Sequence, residues 1–414
     1  MNNKREVFLF GAGAVIDWDG PKTYEITKLI RKSGFPLINS DTKITEFIYQ
    51  RLLKAGYSES EINFETIINV IEELMVYFSE FNKKKKTSSL LKVFLFENDL
   101  SEIFNFSIKG GLRKHGYTLQ IPIYKNYTLA KASYFDENPN QFFLQHLLAS
   151  LLTTINNLVS KYSWNTENHS VIDKETKYSL TFRKWITSKN SILRLYTLNY
   201  DNLFKSLLEE ENIECFDGFY ESKDDYQSSI DVKRILSDTV SSIHYNLHGS
   251  SYWQVLSKVH SDIFSPEIVR LKGISLNSYP IFLEMEKGKT ILVSNIITGY
   301  QKTQKSAITP FRQMQSAFDK DCLFADKITI IGYSFGDEHI NEVIRTALRY
   351  NKKLRIEIIE PNFTKNNMDL DFTLNIFPIT NQIDYEKNEE NIYSYFDSKI
   401  KVFNMKFLEY LKYE

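Results

Sequence analysis

The stretch Arg194-Leu-Tyr-Thr-Leu-Asn-Tyr-Asp-Asn202 contains the transition that decides the fold. Its first half is apolar and β-prone, which predicts a buried strand of a parallel sheet. Its second half places Asn199, Asp201 and Asn202 directly after that strand. Because ligands of open α/β sheets bind beyond the carboxyl ends of the strands, these side chains are candidates for a site. A strand end followed by an Asx cap of the next helix explains the same residues without a ligand.

The composition is that of a globular chain. The 414 residues carry a net charge of −1 and are 42% apolar, which disfavours general nucleic-acid or membrane-surface binding. The length suits two or three domains, or one domain with a large insertion. The two cysteines, Cys215 and Cys322, cannot build a disulfide framework or a CxxC zinc site, so we expect a cytoplasmic protein. We expect no signal peptide, and no membrane span, because no apolar stretch approaches about 18 residues.

A second strand-to-turn signal lies near the N-terminus. The apolar run Val7-Phe-Leu-Phe10 predicts a short strand, Gly11-Ala-Gly13 follows at once, and a helical pattern begins near Tyr24. A dinucleotide phosphate loop needs this context, because glycines allow close backbone approach and free amides accept the charge of the diphosphate. The full fingerprint has a third glycine where Ile16 stands, so an ordinary tight turn fits equally well.

A histidine ends another predicted strand. His248 follows the run Ile243–Leu247 and precedes Gly249. Histidine titrates near neutral pH, so His248 is a candidate proton acceptor, and a buried, hydrogen-bonded histidine is the alternative. His244 lies four positions earlier, but no third ligand has metal spacing. We therefore expect no metal site.

The last two predicted strands also end in polar residues. The run Lys327–Ile331 leads into Gly332-Tyr-Ser334-Phe-Gly336-Asp337, which offers close backbone approach and a hydroxyl donor. Asp337 can act there or cap the following helix. The run Leu354–Ile359 ends at Glu360, and an acidic side chain at a strand end is suited to pairing ribose hydroxyls.

Between residues 58 and 190 the pattern changes to long helical periodicities with few strand signals. We therefore predict an α/β fold: a Rossmann-like parallel sheet with a large inserted helical module. In this division residues 1–57 form the first part of the sheet domain and residues 58–190 the module. Residues 191–364 complete the sheet domain, and residues 365–414 form a C-terminal helical tail.

Four of these motifs, in this order, resemble those of the sirtuin superfamily. They are Gly11-Ala-Gly13-Ala14, Thr197-Leu-Asn199-Tyr-Asp201, Leu247-His248-Gly249 and Gly332-Tyr-Ser334-Phe-Gly336-Asp337. The resemblance covers the α/β part, about half of the chain, and is closest to the bacterial sirtuin-like branch found in antiphage defence proteins. It implies a Rossmann-like domain that binds NAD+ and cleaves the nicotinamide–ribose bond.

The chain departs from the deacylases of that superfamily. Two distant cysteines cannot form the four-cysteine zinc ribbon, and Gly20-Pro21-Lys22-Thr23 stands where Pro-x-Phe-Arg is usual. The long inserted module is foreign to the deacylases but resembles the defence branch, whose members hydrolyse NAD+. The resemblance therefore implies an NAD+ glycohydrolase that depletes cellular NAD+ as the effector of an antiphage system. NAD+ would be its substrate, with no metal required.

The resemblance also implies residue roles. Asn199 would bind ribose hydroxyls or orient water, and Asp201 would fix Asn199 or the nicotinamide amide. His248 would accept a proton, a task suited to a pKa near 7. The residues expected to bind the cofactor are Gly11, Ala12, Gly13, Asp17, Thr197, Gly332, Ser334, Gly336 and Glu360.

Two other functions remain open from the sequence. One is a non-catalytic subunit that senses NAD or ADP-ribose and regulates a partner; the other is an NAD-dependent deacylase or ADP-ribosyltransferase. The presence of both Asn199 and His248 favours an enzyme, because a pure sensor needs neither. We expect a homo-oligomer without direct nucleic-acid or membrane binding. Analogy with defence systems suggests a helicase-like ATPase as partner. The sequence gives neither the trigger nor the oligomer size.

Overall fold

The computed structural model describes fourteen stretches of the chain. They are residues 4–79, 90–92, 100–109, 116–123, 126–131, 138–163, 175–189, 191–221, 227–260, 263–286, 289–299, 302–361, 385–389 and 391–413.

Strands and helices alternate along much of the chain. The strands are β1 (Arg5–Phe10), β2 (Ser107–Lys109), β3 (Thr118–Ile123), β4 (Asn126–Lys131), β5 (Ile192–Thr197), β6 (Gln227–Ser228), β7 (Ile243–Asn246), β8 (Trp253–His260), β9 (Ile263–Leu271), β10 (Ile281–Glu286), β11 (Lys289–Val293), β12 (Lys327–Ile331), β13 (Arg355–Ile359), β14 (Tyr385–Glu389), β15 (Ile392–Tyr395) and β16 (Ile400–Phe403). The helices are α1 (Thr23–Arg31), α2 (Ile44–Lys54), α3 (Phe64–Phe78), α4 (Pro139–Ser160), α5 (Lys177–Thr187), α6 (Leu203–Glu209), α7 (Val232–Ser237), α8 (Lys302–Lys305), α9 (Phe311–Leu323), α10 (Glu338–Tyr350) and α11 (Phe407–Tyr413). Two 3₁₀ helices span Ala12–Trp18 and Leu100–Ile103.

An eight-stranded sheet forms the centre of the fold, in the order β14-β15-β16-β13-β12-β1-β5-β7. The strands from β16 to β7 are parallel, and β14 and β15 add an antiparallel edge. Along the chain, the sheet grows from β1 through β5 and β7 on one side and then through β12, β13 and β16 on the other. This doubly wound order confirms the predicted Rossmann-like α/β class and places a topological switch point between β1 and β12.

The register aligns the carboxyl ends of the central strands. Phe10 pairs with both Ile331 and Thr197, and Thr197 in turn pairs with Asn246. The turns that follow β1, β5, β7 and β12 therefore leave the sheet at one edge, where a ligand of this fold class binds.

Strand β1 is buried on both faces, as expected for the centre of a parallel sheet. Phe8 and Phe10 face one side, and Phe10 stacks on Phe204 of α6 with ring centroids 4.3 Å apart. Val7 and Leu9 face the other side, in the layer that contains α9 and α10. All four side chains are fully buried. The uninterrupted apolar run of β1 thus reflects helices on both faces of the sheet.

The inserted segment is only partly helical. It contains α3, α4 and α5, but β2, β3 and β4 form a three-stranded antiparallel sheet within it. These strands are short, and their buried side chains include only Leu119, Ile121 and Ala130, so they carry little apolar periodicity. The prediction of a purely helical segment missed them for this reason.

Helix α4 corrects the sequence-based expectation that no stretch could span a membrane. Among the described residues, Pro139–Ser160 is the one helix long and apolar enough to do so by length and composition. In the structure 67% of its most apolar window is buried inside the protein. A core helix of a globular protein has this character, because its apolar residues face neighbouring elements on several sides.

The C-terminal tail is also corrected. Residues 392–403 contain β15 and β16, which extend the central sheet, and among the described residues of the tail only α11 matches the predicted helix. Val402 and Phe403 are buried where β16 pairs with β13, so burial of this short segment comes from contacts distant in sequence. The predicted boundary between residues 364 and 365 lies outside the described residues.

Candidate active site

A cavity of about 580 Å³ opens at the carboxyl edge of the sheet. The residues that line it follow β1, β5, β7, β12 and β13, and others come from α3, from the end of α4 and from α8. Those that carry polar groups or glycine backbone from the sheet side are Gly11, Gly13, Asn199, His248, Gly332, Ser334, Gly336, Asp337 and Glu360. The strand-end motifs therefore meet at one cavity.

The glycines of two loops pack against each other. The Gly11 amide donates to the Ile331 carbonyl at 2.9 Å, and the Gly13 amide donates to the Gly332 carbonyl at 2.8 Å. A Cβ on Gly332, whose φ is +59°, would lie 2.3 Å from the Ala14 nitrogen. The amides of Gly11 and Gly13 are therefore engaged within the protein, and are not the free diphosphate donors expected from the sequence. These glycines allow the two loops to touch.

The Asn199 side chain is fixed beside the glycine loop. Its Nδ2 donates to the Gly11 carbonyl at 3.0 Å, and its backbone amide donates to the Thr197 hydroxyl at 3.0 Å. From the next strand, Asn246 Nδ2 donates to the backbone carbonyls of Asn199 and Asp201 at 3.2 and 3.1 Å. These hydrogen bonds fix both the backbone and the side chain of Asn199, so its side-chain amide has a set orientation at the cavity.

Asp201 lies behind the cavity wall. It accepts hydrogen bonds from the Tyr162 hydroxyl at 2.5 Å and from the Leu203 amide at 2.8 Å, and is 3% exposed. Burial raises the pKa of Asp201, and burial together with Asp201 raises that of Tyr162, so the phenol keeps its proton and donates it to the carboxyl group. Tyr162, and not Asp201, lines the cavity. Asp201 thus supports the turn and caps α6.

His248 lines the cavity and carries a nitrogen without a hydrogen-bond partner. The residue is 4% exposed, and its buried Nε2 has no hydrogen-bond partner. The His339 ring lies 5.6 Å away between centroids, and its Nε2 is likewise buried and unpartnered. Burial lowers the pKa of His248 to about 3, far below the value near 7 expected from the sequence. His248 is therefore a neutral imidazole at physiological pH.

Three charged side chains, joined by ion pairs, lie near the two histidines. Lys302 Nζ lies 2.7 Å from a Glu65 oxygen and 3.3 Å from an Asp337 oxygen. Burial by itself would lower the pKa of Lys302. The carboxylates of Glu65 and Asp337 outweigh that effect and raise the pKa. His248 and Lys302 lower that of Asp337 in spite of its burial. Lys302 and Asp337 are therefore both ionised at neutral pH.

Residues 194–376 match the family model described as a SIR2-like domain. The match includes the strand ends at Asn199, His248 and Ser334, and supports the resemblance to the sirtuin superfamily. It spans less than half of the chain and leaves out the Gly11 loop and the whole inserted segment.

No curated protein matches the chain. One similar solved structure is a Sir2 homologue mutant in complex with ADP-ribose, at 11% identity and a TM-score of 0.37, with 100% of this chain and 90% of that chain covered. Another is a Sir2 homologue in complex with NAD, at 11% identity and a TM-score of 0.36, with 100% and 88% covered.

The structure brings most of the predicted site residues together. Within residues 194–376, Asn199, His248, Gly332, Ser334, Gly336 and Glu360 line the cavity, and Gly11, Ala12 and Gly13 join them from the N-terminal loop. Asp201 and Thr197 do not line it; both hold the Asn199 turn. Asp17 lies in an adjoining cavity of about 280 Å³ and accepts a hydrogen bond from the Leu408 amide at 3.0 Å.

The wall of the cavity opposite the sheet consists of residues that lie outside every predicted motif. Asn63, Phe64, Glu65, Val159 and Tyr162 come from the inserted segment. Lys302 was missed as well, because it lies on a four-residue helix without a motif. The only sequence signal for this wall is the Asn63 cap of α3, whose side chain accepts from the Thr66 amide at 3.0 Å.

The described residues offer no obvious metal site. No group of three or more His, Cys, Asp or Glu side chains within them is arranged to hold a metal ion. Both cysteines are described: Cys322 is buried and Cys215 is half-buried.

Proposed function

We propose that this protein binds NAD+ and hydrolyses its nicotinamide–ribose bond, releasing nicotinamide and ADP-ribose. One observation carries the proposal: Asn199, whose side-chain amide is fixed, and His248, whose Nε2 is unpartnered, both line one cavity beyond the adjacent strands β5 and β7. The SIR2-like match over this part of the chain supports a role in NAD chemistry. The cavity, at about 580 Å³, is of the size that holds a small-molecule substrate.

The reaction places modest demands on the protein. The bond between the ribose C1′ and the pyridinium nitrogen breaks with its electron pair moving to the ring, so nicotinamide leaves as a neutral molecule. The ribosyl group passes through an oxocarbenium-like transition state, and water then bonds to C1′ and loses one proton. The site must hold the ribose, tolerate positive charge at C1′ and orient the water.

Asn199 and His248 meet these demands as neutral groups. The Asn199 side chain is fixed through Gly11, so its amide can hydrogen-bond a ribose hydroxyl or the water without reorganising. His248 is uncharged because its pKa is about 3, so it can accept a hydrogen bond from the water or a ribose hydroxyl without opposing charge at C1′. The excess negative charge of Glu65 and Asp337 over Lys302 favours the developing cation.

The same low pKa favours a second candidate function. A histidine with a pKa of about 3 is a weak base, which is compatible with a non-catalytic subunit that senses NAD or ADP-ribose. Such a subunit would bind NAD+ and leave it intact. The two functions therefore differ in product formation and not in binding.

Product analysis tests the proposal. The purified protein would be incubated with NAD+ in heavy-oxygen water, with and without an acetylated peptide, and the products followed by mass spectrometry. We expect nicotinamide, and ADP-ribose with one heavy oxygen at the anomeric position, regardless of peptide. O-acetyl-ADP-ribose formed only with peptide would identify a deacylase. Binding of NAD+ without nicotinamide release, alone and with candidate partners, would identify the sensing subunit.

We also propose a biological setting based on the sirtuin-like resemblance. In it the protein is a cytoplasmic homo-oligomer that depletes NAD+ as an antiphage effector, triggered by a partner such as a helicase-like ATPase. Light scattering of the purified chain tests the oligomer. Cellular NAD+ measured during phage infection, with wild type and with Asn199→Ala, tests the effector role. Equal NAD+ loss in both strains would contradict it.

A further inference from the structure

We propose that Glu65, Lys302 and Asp337 form an acceptor bar: a chain of ion-paired side chains at the cavity mouth that restricts the acceptor of the ribosyl group to water. This inference rests on the proposed cleavage of NAD+ and adds a specificity determinant to it.

The bar joins two parts of the chain across the cavity. Glu65 belongs to the first turn of α3 in the inserted segment, Lys302 begins α8, and Asp337 precedes α10. The two ion-pair distances are 2.7 Å and 3.3 Å. The three side chains line the cavity and are 20 to 26% exposed. This partial exposure at the cavity wall is the basis for placing the bar at the cavity mouth.

A second ion pair anchors the bar. Three residues beyond Lys302, Lys305 Nζ lies 2.6 Å from a Glu72 oxygen and donates to the Thr298 carbonyl at 2.7 Å. A Cβ added to Gly299 would lie 2.7 Å from the Glu72 carboxylate, so this backbone packs directly on α3. Glu65 and Glu72 are two helical turns apart on α3 and bind lysines three residues apart on α8. Because this second ion pair ties α8 to α3, Lys302 and Glu65 are expected to keep their positions when substrate enters.

The bar lies on the His248 side of the cavity. His248 lowers the pKa of Asp337, so the two side chains are near each other. The ring of His339, two residues after Asp337, lies 5.6 Å from the His248 ring between centroids. With the bar in this position, we infer that an acceptor reaching C1′ past His248 passes Lys302 and its two carboxylates. Water passes because it is small and can exchange hydrogen bonds with the charged groups. A longer apolar chain would have to displace the ion pairs and leave charges unpaired, which is costly.

Competition between water and alcohols measures this restriction. After nicotinamide leaves, the oxygen of water or of an alcohol bonds to C1′ and loses its proton, giving ADP-ribose or an alkyl ADP-ribose. The experiment incubates the full-length protein with NAD+ in buffer containing methanol or 1-propanol, and quantifies both products by mass spectrometry. The ratio of alkyl ADP-ribose to ADP-ribose is independent of the overall rate, so it reports acceptor choice and not general damage to the site.

Opening the bar should raise that ratio for the larger alcohol. For Lys302→Ala we expect an increase of roughly tenfold with 1-propanol and a smaller one with methanol. Glu65→Ala opens the bar from the other end and should give the same direction. Lys302→Arg, which keeps both ion pairs, should restore the wild-type ratio. Lys22→Ala is the matched control, because Lys22 also lines the cavity but is not part of the bar.

The outcomes separate this inference from the proposed function. If the wild type, Lys302→Ala and Glu65→Ala all release nicotinamide and give the same ratio of propyl ADP-ribose to ADP-ribose, the acceptor bar is contradicted. The proposed NAD+ cleavage is then unaffected. A raised ratio in Lys22→Ala equal to that in Lys302→Ala would also contradict the acceptor bar. No nicotinamide release by the wild type under any condition would overturn the proposed function, and the bar with it. Melting temperatures of all variants identify any that fail to fold.

Discussion

The cavity has two walls of different origin. The sheet wall consists of residues that directly follow parallel strands, with Asn199 and His248 at its centre. The module wall consists of Phe64, Glu65 and Tyr162, which the inserted segment supplies from the ends of two helices. At the centre of the sheet wall, Asn199 and His248 provide neutral hydrogen-bonding groups, and Asp337 adds a carboxylate. The module wall provides an aromatic surface and a carboxylate. Chemistry can thus be assigned to one wall, and access and support to the other.

The walls are coupled at two places. The Tyr162 hydroxyl donates to Asp201 in the Asn199 turn, and Glu65 pairs with Lys302. The inserted segment is therefore part of the site, and its displacement would alter both the turn that carries Asn199 and the cavity mouth.

The largest expected effect is on the sheet wall. Asn199→Ala removes the amide that is fixed to the Gly11 carbonyl, so we expect nicotinamide release to fall roughly a hundredfold or more. Asn202→Ala is the matched control, because Asn202 lies on the same turn but does not line the cavity, and it should keep most of the activity. Initial rates with saturating NAD+ measure both. Equal rates in Asn199→Ala and wild type would show that the sheet wall does not carry the chemistry.

Sequence reasoning could reach the sheet wall because its signals are local. A buried strand followed at once by Asn199, His248 or Ser334 places a polar group at the carboxyl edge, whatever the rest of the chain does. The doubly wound class followed from the same runs. The glycines predicted to bind the cofactor line the cavity. Position 332 requires glycine because Gly13 packs against it, a contact between residues more than three hundred positions apart, and this reason is not visible in the sequence.

The residues of the module wall could not be predicted from local sequence patterns. Tyr162 and Glu65 are ordinary residues at helix ends, and only tertiary packing brings them to Asp201 and Lys302. The same limit explains the missed strands. β16 is four residues long and is specified by its pairing with β13, not by its own periodicity. The lowered pKa of His248 is likewise a consequence of burial, which the sequence does not display.

An intermediate effect is expected where the walls are coupled. Tyr162→Phe keeps the ring but removes the donor to the buried Asp201 carboxyl group, which should cost about 1 to 3 kcal/mol of stability. Because Asp201 supports the Asn199 turn, we expect a loss of activity on the order of tenfold, below that of Asn199→Ala. Tyr178→Phe on α5 is the control, since Tyr178 is 39% exposed and does not line the cavity. Unchanged stability and activity in Tyr162→Phe would show that the two walls act independently.

The last prediction compares histidines from the two regions as the pH falls, an effect on stability and not on activity. Burial lowers the pKa of His244, on β7, to about 3, and that of His146, on α4, to about 4. In the unfolded chain both titrate near 6.5, so below that pH the unfolded state binds protons that the folded state does not. Each histidine therefore contributes stability that is fully present above pH 6.5. It is lost as the pH falls toward the folded pKa, at up to roughly 1 kcal/mol per pH unit.

Urea denaturation between pH 3 and 7 separates the two histidines. Gln cannot titrate, so each variant should lose less stability on acidification than the wild type. For His146→Gln the difference should stop growing near pH 4, where the folded histidine itself becomes protonated. For His244→Gln it should continue to about pH 3. Acidic groups such as Asp337 act equally in all three proteins and cancel. Curves that remain parallel to the wild type down to pH 4 would mean that these histidines are not held neutral by burial. That result would also remove the basis for treating His248 as neutral in the cleavage step.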